Sequence, residues 1–134
     1  MSATEHDQEQ NEWTEQEISY MRQVLGLYWS ISLQSRPQLT DDLRLSLIRT
    51  EVTDLRARQA SKLDWAARAI ERENRLLAEH PELTPTRNFL RDLQSSVNCV
   101  KDCIERMDRF LSKLSLLGLP TEVLRWDPSL GRMS

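Results

Sequence analysis

Glycine is nearly missing from this chain. Of 134 residues only Gly26, Gly118 and Gly131 are glycine, and none lies between Leu27 and Leu117. Hairpins between β-strands rely on glycine or asparagine at positive φ, so a sheet fold has almost no turn material here. Histidine and cysteine are equally scarce. His6 and His80 have no second partner in the sequence for acid-base work, and His80, before a proline, is read as facing the last carbonyls of a helix. Cys99 and Cys103 offer two of the four ligands a structural zinc needs, at a spacing no common site uses. Lying four apart on one expected helix, they resist an intrahelical disulfide and are read as reduced thiols. Glycine-rich phosphate loops and the serine elbow of ester hydrolases are also absent. These gaps point away from an enzyme and from any metal or other cofactor.

A long apolar run is missing too, since nothing approaches the roughly 20 residues of a spanning helix. The start of the chain lacks positive charge: Glu5, Asp7, Glu9, Glu12, Glu15 and Glu17 precede the first basic residue, Arg22. This is the reverse of a secretory or mitochondrial leader, so the expected location is cytoplasmic or nuclear, possible cytoskeletal association included. Residues 1–13 are polar and read as a disordered acidic tail. The net charge of −3 conceals a mildly basic body behind that tail.

What is present is helical punctuation. Pro37, Pro81, Pro85, Pro120 and Pro128 interrupt no long helical pattern and divide the chain between helices. Thr14 and Glu17 form a capping box, with Trp13 and Ile18 as its staple, and start a first helix. Its stripe of Ile18, Met21, Leu25, Tyr28 and Trp29 is widened by Val24, Leu27 and Ile31, and so calls for burial on more than one side. Gly26 lies within it, suited to a close crossing or simply tolerated. Thr40, followed by Asp41 and Asp42, caps a second helix running to about Glu79. Its stripe is Leu45, Ile48, Val52 and Leu55, then Leu63, Ala66, Ile70 and Leu77. The step of eleven from Val52 to Leu63 is a stutter, with Gln59 and Lys62 in the interrupted region. Thr84 as cap and Pro85 as first residue begin a third helix, which ends near Leu117 before Gly118. The short connector makes the second and third helices an antiparallel hairpin.

The third helix carries an unbroken heptad ladder. Leu90, Val97, Ile104 and Leu111 occupy one position, and Leu93, Val100, Met107 and Leu114 follow three residues after each. A seven-residue apolar repeat held this long belongs to a helix zipped along its length against others. One flank reads Phe89, Ser96, Cys103, Phe110 and Leu117; the other reads Gln94, Lys101, Asp108 and Ser115. The first flank is the more apolar and suggests a third or fourth helix packing there.

Fifteen of the 18 basic residues are arginine. Arg44, Arg49, Arg56, Arg58, Arg68, Arg72 and Arg75 fall on the second helix, but six carboxylates interleave with them, which describes solvated ion-pair faces better than a nucleic-acid stripe. Tyr28, Trp29 and Trp65 read first as core anchors and otherwise as binding hot spots. Trp126, beyond the hairpin, reads as a docking anchor, into a partner or back onto the third helix.

The expected fold is all-α: a long antiparallel helical hairpin with coiled-coil heptads, a shorter N-terminal helix and the acidic tail. Its expected division is a tail at 1–13, a bundle at 14–118 and a C-terminal docking segment at 119–134. The expected function is that of a non-enzymatic coiled-coil subunit of a multiprotein complex, of the cytoskeletal, spindle or kinetochore kind. Its expected partner-binding residues are Leu90, Leu93, Val97, Val100, Ile104, Met107, Leu111, Leu114, Phe110, Trp126, Tyr28 and Trp29. The expected partners are other coiled-coil proteins in a hetero-complex or a second copy, with nucleic acid or a microtubule as less favoured contacts and no membrane span. The alternatives are a homodimeric regulator of one target and an arginine-mediated nucleic-acid accessory factor.

Overall fold

The computed structural model describes residues 12–32 and 40–127, with the side chains of 30–32 left out of the description. The expected tail at 1–13 lies, save for its last two residues, outside this range, and so does the side chain of Ile31. Four helices make up the described chain: α1 (Glu15–Ser32), α2 (Asp41–Glu79), α3 (Thr84–Leu117) and α4 (Thr121–Leu124). No strand occurs among the described residues, so the all-α expectation holds. At 1.5 Å per residue, α2 and α3 are about 58 and 51 Å long.

Local chemistry explains where each helix starts and stops. At α1 the Thr14 amide donates to Glu17 Oε1 at 2.9 Å and the Glu17 amide donates to Thr14 Oγ1 at 3.2 Å, the reciprocal capping box read from the sequence. At α2 the Leu43 amide donates to Thr40 Oγ1 at 3.2 Å. The start of α3 differs by one residue from the expectation. The Arg87 amide donates to the Leu83 carbonyl at 3.3 Å, so Leu83 is the capping position and Thr84 already lies within the helix. Pro85 remains in the first turn, where its missing N–H costs nothing. At the other end of α3, Gly118 takes a φ of +67° and donates its amide to the Leu114 carbonyl at 3.0 Å, the left-handed stop that glycine makes without strain.

The chain divides into two compact units, one of residues 1–53 with 109–134 and one of residues 54–108. In the first, Met21 and Leu25 of α1, Ile48 and Val52 of α2, Phe110 and Leu114 of α3 and Val123 of α4 are buried. In the second, the antiparallel pairing of the two long helices is plain. His80–Leu83 reverses the chain, and Arg56, well before the turn, pairs through Nε and Nη2 with Asp108, about equally far after it. The core of this unit is Ala66 and Ala69 against Leu93 and Val97, with Leu63 and Ile70 packed on it.

The stutter in the α2 stripe has a physical counterpart. Leu55, Gln59 and Leu63 are half-buried, so the apolar line steps by three, four and four residues from Val52, and a glutamine stem fills the interrupted position. Lys62 faces water.

Candidate functional site

The first unit contains a clasp that fixes the start of α1. Lys113, buried on α3, donates from Nζ to Glu17 Oε1 at 2.9 Å and to the Glu12 carbonyl at 3.1 Å. Its ammonium also lies 5.8 Å from the centroid of the Trp13 ring. Glu17 thus serves two masters, the capping box and the lysine. Trp13, expected to staple onto Ile18, packs its ring on Phe110 with centroids 5.1 Å apart and donates Nε1–H to the Gly118 carbonyl at 3.0 Å. Tyr20 completes the aromatic group, edge-on to Phe110 at 5.9 Å. Its hydroxyl is buried without a hydrogen-bond partner. Burial first, and the Glu51 carboxylate second, push the Tyr20 phenol above its ordinary pKa.

The C-terminal segment is held by the same unit. Arg44 of α2 donates from Nη1 to the Leu124 carbonyl at 2.6 Å and from Nη2 to the Trp126 carbonyl at 3.4 Å, covering the open end of α4. Trp126 is half-buried. Its ring lies over α1 at Gly26, where an added Cβ would meet the indole Cη2 at 3.5 Å. Tyr28 and Trp29 are half-buried on α1.

The ladder of α3 faces inward. Leu93, Val97 and Leu114 are buried, while Leu90, Val100, Ile104, Met107 and Leu111 are half-buried. The apolar flank behaves differently from the expectation. Only Phe110 is buried, under Trp13 and Tyr20; Phe89, Ser96, Cys103 and Leu117 stay exposed. The third helix that the flank calls for is α1, and it covers Phe110 alone within its own unit. Trp65 is a further correction. Read first as a core anchor, it is 55% exposed, because the inward stripe of its unit runs through Leu63, Ala66 and Ile70 and leaves position 65 outside.

Sequence reasoning missed Lys113, Trp13 and Arg44 as organising residues. A lysine is by default a surface residue, and its partners lie about a hundred positions away. The capping box was the one local signal that Glu17 is engaged. His80 is exposed, its Nδ1 3.6 Å from Glu82 Oε1, and its amide donates to the Leu76 carbonyl at 2.9 Å. Cys99 and Cys103 are free, exposed thiols. Among the described residues no group of three or more histidine, cysteine, aspartate or glutamate side chains is placed to hold a metal, and no helix is long and apolar enough to cross a membrane. No protein-family model matches the chain, and neither a curated protein nor a solved structure is similar to it.

Proposed function

We propose that this chain is a non-enzymatic helical subunit of a multiprotein complex, acting through helix-to-helix packing in the manner of a coiled coil. The observation that supports this reading most is the thinness of the second unit. Residues 54–108 have four buried apolar residues, two of them alanines, as their core. A pair of helices with so little interior gains little from burial to offset the order it imposes on the chain. Partner helices supply what is missing. Leu90, Val100, Ile104 and Met107 are half-buried in the hairpin and complete their burial against such a helix, while Leu93 and Val97 hold the hairpin itself. Large apolar side chains also stand in water: Trp65, Leu76 and Phe89 in the second unit, and Leu27, Leu116 and Leu117 in the first.

Small helical subunits of this kind are common in spindle and kinetochore assemblies, and that frequency is the ground for a cytoskeletal setting. Tagged purification from the native source, with the mass and stoichiometry of everything retained, tests the reading. A fixed set of helical partners supports it. Recovery of the chain alone as a discrete dimer transfers the weight to a self-contained regulator.

A further inference from the structure

Beside the stripe that faces α3, and sharing Ala69 with the core there, α2 carries a second line of residues. Arg58, Lys62, Trp65, Ala69, Arg72 and Leu76 follow one another at steps of four, three, four, three and four, the spacing at which one helix meets another along its length. All six lie within the unit of residues 54–108. Ala69 is already buried against α3, but Trp65 is 55% and Leu76 39% exposed, and Arg58, Lys62 and Arg72 are exposed as well. The line is therefore a helix-matching surface whose large apolar members, Trp65 and Leu76, lack cover.

Its charges say what would cover it. The neighbouring strip pairs itself: Arg68 holds Asp64 at 3.3 Å and Arg75 holds Glu71 at 3.1 Å. Arg58, Lys62 and Arg72 have no ion pair among the described residues. An apolar helix laid along the line would take three cations out of water without compensation, which is costly. A phosphate backbone would meet the cations but offer no apolar surface to Leu76, 39% exposed between them and the turn. An acidic, amphipathic helix answers both, with carboxylates two heptads apart opposite Arg58 and Arg72 and an apolar side chain midway between them on the Trp65 ring.

We infer that the line from Arg58 to Leu76 docks an acidic, amphipathic helix of a partner protein. This rests on the complex-subunit reading and adds the chemistry of one partner to it. The test places the photocrosslinker p-benzoylphenylalanine at Trp65 of the full-length tagged chain in its native source, followed by mass-spectrometric mapping of the crosslinked peptide. The expected product joins position 65 to an acidic segment of helical periodicity in one other protein. Its yield should fall about tenfold or more when Arg58→Glu and Arg72→Glu are added, one factor of ten corresponding to 1.4 kcal/mol of lost affinity. Far-UV circular dichroism matching the unsubstituted chain separates that loss from misfolding.

Crosslinks to nucleic acid, to a second copy of the chain, to a neutral or basic segment, or to nothing overturn the inference. If the complex is still recovered in those cases, only this inference fails. If the tagged chain is recovered alone, the wider reading fails with it.

Discussion

The Nζ of Lys113 has the Glu17 carboxylate at 2.9 Å, the Glu12 carbonyl at 3.1 Å and the face of Trp13 nearby, and the pair is largely screened from water, with side chains 9% and 21% exposed. Removing one member leaves the other's charge half-desolvated, so Lys113→Met or Glu17→Gln should each destabilise the chain by about 1–3 kcal/mol in urea melts. A double-mutant cycle should return a coupling energy of about 0.5–3 kcal/mol, and additive losses would show that the two act separately. Tyr20 presents the opposite case, a buried hydroxyl with no partner. Tyr20→Phe is therefore expected to be neutral or stabilising, since it removes a desolvated group and keeps the ring on Phe110. The sign of its pH dependence follows from the raised phenol. The contribution is constant below the ordinary value of 10.0 and is lost as pH rises past it through the folded value, because the unfolded chain ionises first. Alkaline melts of the Phe variant should lose stability less steeply above pH 10.0 than those of the parent.

At the scale of the helices, the two described glycines have opposite requirements. Gly26 is helical, and a methyl group there would touch the Trp126 ring at an ordinary 3.5 Å, so Gly26→Ala should stabilise α1 by about 0.5–1 kcal/mol. Gly118 has open space around it but a φ of +67°, and Gly118→Ala should cost about 1–2 kcal/mol by thermal or urea melting. The caps at Thr14 and Thr40, the ends of α2 and α3 and the antiparallel turn were legible because they depend on residues within four positions of one another, as at Thr14 with Glu17 and Thr40 with Leu43. The inward face of α3 was legible for the same reason, through a strict repeat. The inward side of α2 was legible too, through Leu63, Ala66 and Ile70, but how far its cover extends was not. Trp65 and Ala69 both suit an interior, and the choice of Ala69 follows from its facing Leu93 and Val97 in the same buried cluster, a long-range match that spacing within α2 does not encode. The clasp at Lys113 and the seat of Trp126 on α1 were hidden likewise, since each joins residues about a hundred positions apart.

At the scale of the whole molecule, the two units are unequal. Among the described residues, 1–53 with 109–134 bury seven large apolar or aromatic side chains drawn from all four helices, whereas 54–108 buries Leu93, Val97 and two alanines. Ile104→Asp with Met107→Asp should eliminate assembly, because a partner helix covering these half-buried positions would have to bury two unpaired carboxylates. Retained assembly in that double variant would refute the role given to the ladder. The most direct test of the complex-subunit account is amide hydrogen exchange of the chain, alone and within the assembly purified from its native source. Alone, the amides of 54–108 should exchange faster than the helical amides of the other unit, and within the assembly they should slow by at least the factor that separates the two units. Equal exchange of 54–108 in both states would mean that the thin hairpin needs no partner, and would contradict the account.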